Sequence, residues 1–274
     1  PVNTITFSYT AAALQHTFNH GVMALYLKRF ATLTTKKITN SNINTMTNFK
    51  KLKQLITTQG SGNIVSKQCD ISSFTKLHLS VQGTVEPPQS DEEKVVVECD
   101  DNLLDTFEIV NSGSTLYIIS DSKIRTPAFT RCVVKVYYRQ LDALVNSGNG
   151  NLTVTQPLAL RNHLELKLQA NGNTSLEVNV PAMKLTNQCN GNVTLKGRCG
   201  ELEIKNQPNG NLNCKDLVAA IVTIKNQANG NVELRALQSI SIYHTGNGYV
   251  HYYGNGVLKQ VKQNGTGEIK HMND

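Results

Sequence analysis

Two constellations carry side-chain types suited to chemistry. Glu201 and Glu203 are the one close acidic pair in the C-terminal half, spaced to share a strand face. Glycosidic hydrolysis needs two carboxyls roughly 5–10 Å apart, so this pair is the candidate for a carbohydrate-active enzyme. The competing role is plain solvation beside Lys205 and Lys215. The second constellation is Tyr249, His251 and Tyr253 in "TGNGYVHYYGNG", which alternate with Val250 and Tyr252. An exposed Tyr-His-Tyr row would stack on sugar rings or dock a partner. The same row could instead cap the open end of a repeat array. His244 and His251 bring no third ligand, and Asn and Thr stand where calcium-binding solenoids carry acids. No metal, no cofactor and no catalytic residue is therefore expected, and the chain reads as a non-enzyme.

What positions these residues is a repeat. Glycines recur at 150, 172, 191, 210, 230, 248 and 265, at spacings of 22, 19, 19, 20, 18 and 17. Asn precedes each one, and Asn follows the first five. Apolar residues stand two and four places after the Gly, as in Val193/Leu195 and Val232/Leu234. Others stand eight and six places before it, as in Leu202/Ile204 and Val222/Ile224. Period-2 spacing places each pair on one face of a strand. Length differences fall between the two strands, in "KGRCGE", "KDLVAAI" and "RALQS", so that corner is tolerant and the Asn-Gly corner is fixed.

A β-solenoid with coils of about 20 residues fits this pattern, with equivalent residues stacked about 4.8 Å apart. An antiparallel meander with Asn-Gly hairpin turns is the alternative. Stacking like residues penalises charge, and Asp216 is the one Asp between Asn146 and Asp274, which favours the solenoid. Asn149, Asn171, Asn190, Asn192, Asn209, Asn211, Asn229, Asn231 and Asn247 are then expected to form a structural ladder, each amide donating to one coil and accepting from the other. The Gly between them is expected to adopt positive φ. Asn192→Asp is expected to place a charge in this stack and to destabilise it. N-glycosylation patterns at Asn151, Asn173, Asn192 and Asn264 coincide with the same corner and are explained by the repeat.

The remainder of the 274 residues divides at about residue 60. Residues 1–59 hold seven Lys and Arg and no acid, while the rest holds 20 of each, so the whole net charge of +7 sits in this arm. The neutral body argues against a nucleic-acid groove there. The arm fits a targeting peptide, a tether to an anionic surface or residues foreign to the mature protein. Residues 11–30 could form one helix, but no standard signal peptide is recognisable. No apolar run reaches the roughly 20 residues of a membrane span. From Gly60, short β-branched runs at Leu77–Val81, Val95–Glu98, Leu116–Ile119 and Cys132–Tyr138 predict strands, with a turn near Asn102–Asp105. The six cysteines form no CxxC motif and are expected to be buried thiols; Cys189/Cys199 is the first pair to test for a disulfide.

"GSGNIVSKQCDISSFTKLHLSVQGTVE", then "VVVECDDNLLDTFEI", "STLYI" and serial "NGN" coils resemble the bacterial head-domain family known as autotransporter-adhesin GIN domains. The likeness runs from about Gly60 to Met272, giving a domain over 60–272 with repeats at about 146–272. It implies an all-β, right-handed parallel β-helix or β-solenoid with a more mixed β start. It also implies a cell-envelope or secreted protein, and it transfers no catalytic residue. The expected function is a non-enzymatic, adhesin-like module that presents a rigid flank to a glycan, a protein or another copy. A β-helix enzyme and a structural spacer are the alternatives.

Overall fold

The computed structural model describes residues 59–120, 127–154 and 156–273. The basic arm, apart from Gln59, and the helix expected at 11–30 lie outside the described residues.

From Ala143 the chain winds as a β-solenoid. Its strands are β8 (Ala143–Asn146), β9 (Asn151–Thr153), β10 (Leu158–Ala159), β11 (Leu164–Leu168), β12 (Thr174–Asn187), β13 (Val193–Asn206), β14 (Leu212–Asn226), β15 (Val232–His244), β16 (Val250–Tyr253), β17 (Val257–Gln263) and β18 (Ile269–His271). Each of them pairs in parallel with a strand of a neighbouring coil, which rules out the meander. Leu166, Leu185, Ile204, Ile224 and Ile242 stack in one file, all buried. Val193, Leu212, Val232 and Val250 stack in another. Alternation buries one face of every strand, and each such aliphatic side chain contributes about 1.5–3 kcal/mol on burial. Val193, Leu195, Leu202 and Ile204 are one coil's share.

The tolerant corner is not a loop. β12 to β15 each run through it as one bent strand of 13 to 15 residues. Extra residues are taken up as bulges, between Thr194 and Gly197 and again between Cys214 and Val218. Gly197, at φ +106°, makes the first of these bends.

The opposite end is mixed in direction. β2 (Lys76–Ser80) and β3 (Thr84–Glu86) form a parallel rung that pairs on one side with β8 and β9. On the other side it pairs with β6 (Thr115–Ser120) and β7 (Cys132–Tyr137). The chain thus lays its second rung first, builds the end rung, and then returns to continue the stack. β5 (Phe107–Ser112) covers β6 antiparallel, and β4 (Lys94–Asp100) covers β7 antiparallel. β1 (Ile64–Asp70) then pairs antiparallel with β4. A 3-10 turn at Asp101–Thr106 stands where the sequence predicts a turn. Antiparallel covering of this kind occupies the open backbone edge of a rung.

Candidate functional site

Four files of polar side chains line the fixed corner. The first is buried. Asn187 Nδ2 donates to Asn206 Oδ1 at 2.8 Å, and Asn206 Nδ2 donates to Asn226 Oδ1 at 2.8 Å. Asn226 Nδ2 meets His244 Nδ1 at 3.0 Å, which ends the file. Burial holds His244 below the usual imidazole value. The amide oxygens of Asn187 and Asn226 also accept from the backbone N–H of Cys189 and Ala228. The file therefore fixes the turn as well as the stack. Next to it, Gln169 donates to Gln188, Gln188 to Gln207, and Gln207 to Gln227, at 2.8–3.1 Å.

Neither file was among the residues expected to form a ladder. The signal was present in "TNQCNGN", "KNQPNGN" and "KNQANGN", where Asn-Gln precedes each Asn-Gly at constant offset.

The expected Asn residues occupy two chemically different files. Before the glycine, Asn171 Nδ2 donates to Asn149 Oδ1, Asn190 to Asn171, Asn229 to Asn209, and Asn247 to Asn229. Thr266 Oγ1 bonds Asn247 Oδ1 at the end of the row. After the glycine, the side chains accept backbone N–H instead. Asn192 N donates to Asn173 Oδ1, Asn211 N to Asn192 Oδ1, and Asn231 N to Asn211 Oδ1. Asn192 is exposed and uses its oxygen as the acceptor, a role an aspartate could also fill, so this geometry points to a small effect of Asn192→Asp.

The glycines also need a different explanation. None of Gly150, Gly172, Gly191, Gly210, Gly230 and Gly248 has positive φ. A Cβ at Gly210 would overlap the carbonyl oxygen of Gly191, and one at Gly230 would overlap that of Gly210. Close approach of backbone to backbone between coils selects glycine here, and turn conformation does not.

Tyr249, His251 and Tyr253 do not form one exposed row. Tyr249 and His251 stack, with centroids 3.9 Å apart and planes at 18°. His251 Nε2 lies 3.6 Å from Glu268 Oε2. Tyr253 is only 6% exposed, because Lys215 Nζ lies over its ring at 4.3 Å and Arg235 Cζ at 5.8 Å. Two long cationic stems from preceding coils cover it. The capping role is corrected too, since β17 and β18 form a further coil beyond this strand. Tyr252, in the core, stacks on His271 of that coil at 4.8 Å.

Glu201 and Glu203 stand exposed on the outer face of β13. Glu203 faces Lys184 across one coil boundary and Thr223 across the other, and Lys215 is engaged with Tyr253 rather than with this pair. All six cysteines are free thiols, and five are buried. Burial pushes Cys99 and Cys199 up to about 11 and Cys132 to about 12. A polar groove of about 500 Å³ lies between Lys76, Asp142, Ala143, Asn162, His163 and Glu165. Among the described residues, no group of three or more His, Cys, Asp and Glu is placed to hold a metal ion.

A long parallel solenoid that holds its outward side chains in register over an open flank is a repeat scaffold of the β-helical class. The chain belongs to the family described as "Putative auto-transporter adhesin, head GIN domain", whose model matches residues 73–256. A solved "putative adhesin" from Bacteroides fragilis is similar, with a TM-score of 0.74 and 20% identity, covering 78% of this chain and 99% of that one. A "putative adhesin" from Parabacteroides distasonis has a TM-score of 0.60 at 22% identity, over 78% and 99% of the two chains. A "Putative lipid binding protein" from the same species has a TM-score of 0.60 at 18% identity, over 78% and 98%. At these identities the likeness is one of fold. No curated protein matches the chain.

Proposed function

We propose that this chain is a non-enzymatic, adhesin-like module of the cell surface or envelope, presenting its solenoid flank to a glycan or protein partner. The observation that carries the reading is the register. Parallel stacking repeats each outward position at every coil, so the flank offers fixed rows of side chains about 4.8 Å apart. Hydrogen-bonded amides at one corner and a buried aliphatic core keep those rows rigid, which lowers the entropy lost on binding. Membership in a family of adhesin head domains supports the same reading. Among the described residues, no helix is long and apolar enough to cross a membrane.

A carboxyl pair for glycosidic work sits in a walled site, whereas Glu201 and Glu203 stand on an open face. The test is a glycan array together with a pull-down from envelope extracts, using the folded chain. Specific capture of a partner is expected, and blanks in both would defeat the proposal.

A further inference from the structure

Two adjacent rows on the solenoid flank treat charge in opposite ways. In the first row, Glu165 faces Lys184 and Lys184 faces Glu203 across successive coils. Opposite signs alternate, which is how stacked charges are made tolerable. Two residues further along each strand lies the second row: Lys167, Thr186, Lys205, Lys225, Tyr243 and Lys262. It contains no acid. Lys205 and Lys225 are direct neighbours in register and both are exposed. Like charges directly opposite each other are destabilising, so this row is unbalanced where its neighbour is not. Five coil steps separate Lys167 from Lys262, giving a straight cationic track roughly 24 Å long at the usual strand spacing. The glutamine file, Gln169 to Gln227, runs beside the track.

We propose that this row is the binding track for a linear acidic polysaccharide, one bearing uronate or sulfate groups. The proposal rests on the binding-module reading above and names its ligand class. An extended polymer laid along the solenoid axis would meet a lysine at intervals of one or two coils. Its anionic groups would supply the counter-charge that the row lacks. The amides of the glutamine file each keep at least one N–H and one lone pair beyond their ladder bonds, suited to sugar hydroxyls. Tyr243, whose hydroxyl meets Gln260 Oε1 at 2.6 Å, adds a fixed aromatic face within the track. Charge geometry argues against nucleic acid. A duplex needs a broad positive footprint, and this track is one lysine wide with Glu165 and Glu203 along its border. A single strand needs successive aromatic platforms for its bases, and the row offers one.

The test measures equilibrium binding of the full chain to immobilised polygalacturonate, dextran sulfate, uncharged dextran and single- and double-stranded DNA, at two salt concentrations. Two double variants are compared: Lys205→Gln with Lys225→Gln in the track, and Lys196→Gln with Arg198→Gln, both exposed and seven or more residues along β13 from the track, outside it. Both lose the same charge and both keep the seven Lys and Arg of residues 1–59, so net charge and the arm cancel. Unchanged circular dichroism and melting temperature establish that both variants fold.

Binding to at least one acidic polysaccharide is expected, with little to uncharged dextran. The track variant should weaken it by about tenfold and reduce the slope of log affinity on log salt by about 1–2, as two counterion-releasing contacts are lost. The outside variant should change affinity less than about twofold, as exposed charges off the track are screened. Equal weakening by both variants, no binding to either acidic polysaccharide, or tighter track-dependent binding to DNA would each overturn the inference. If the acidic polymers fail while an array or pull-down finds another partner, only the ligand class falls. If nothing binds in any format, the binding-module reading falls with it.

Discussion

Replacing Asn206 by alanine removes the middle member of the buried ladder. Asn206 is fully buried; it accepts from Asn187 Nδ2 and donates to Asn226 Oδ1, both at 2.8 Å. Alanine leaves the Asn187 amide without its acceptor in a dry corner. The Asn226 oxygen keeps only the 3.4 Å contact from the backbone N–H of Ala228. Each buried partner left unpaired costs about 1–3 kcal/mol, so the pair together should cost roughly 2–5 kcal/mol. For a domain of this size that corresponds to a melting temperature lower by roughly 5–15 °C. Asn190→Ala is the matched control. It removes the same type of bond, Asn190 Nδ2 to Asn171 Oδ1 at 2.9 Å, but on an exposed residue that water can serve. Its loss should stay near about 0.5 kcal/mol, a shift of one or two degrees at most. Thermal melts by circular dichroism, both variants beside the parent, decide the matter. Equal shifts for the two variants, or a change below about 1 °C for Asn206→Ala, would mean that burial does not give the inner ladder its weight.

Three further outcomes follow from the same geometry. Gly210→Ala should destabilise by about 2 kcal/mol or more, because its methyl group forces adjacent coils apart, whereas Gly113→Ala, at φ +58° with open space around it, should lose only about 1 kcal/mol; chemical denaturation separates them. His244 is held neutral by burial, so its folded pKa lies below its unfolded value; its contribution is complete above about pH 6.5 and falls away as acid approaches the depressed folded pKa. His78 is shifted the same way, by burial and then by Lys167, so His244→Asn, which continues the ladder in kind, should flatten the acid-side fall in melting temperature without abolishing it. Native protein at pH 8 should react with a thiol reagent at Cys69 first, and all six thiols should titrate after unfolding; fewer than six would reveal a disulfide.

How much of this was legible in the sequence depends on what each feature obeys. Register was legible because strand alternation and coil length both repeat, so Leu202/Ile204 and Val222/Ile224 could be matched by counting. The corner was legible as a place but misread as a mechanism. Asn-Gly suggests a left-handed turn locally, whereas the glycines answer to a carbonyl one coil away. The inner ladder was printed in the repeated Asn-Gln pairs, yet a single sequence does not say which of two nearby asparagines points inward. Tyr253 looked exposed because alternation placed it outward; its cover comes from Lys215 and Arg235, 38 and 18 residues earlier in the chain. The order of rungs at the mixed end, with β2 and β3 inserted between later strands, leaves no local trace at all.

The rigid flank is expected to bind a partner without cutting it. Beads coated with the full chain, native or heat-unfolded, can be scored for shear-resistant attachment to polysaccharide-bearing and protein-bearing surfaces, with polymer length measured afterwards. Attachment by native beads alone, with polymer length unchanged, is the predicted result. Equal attachment by unfolded chain, or polymer shortened by the native chain, would contradict it.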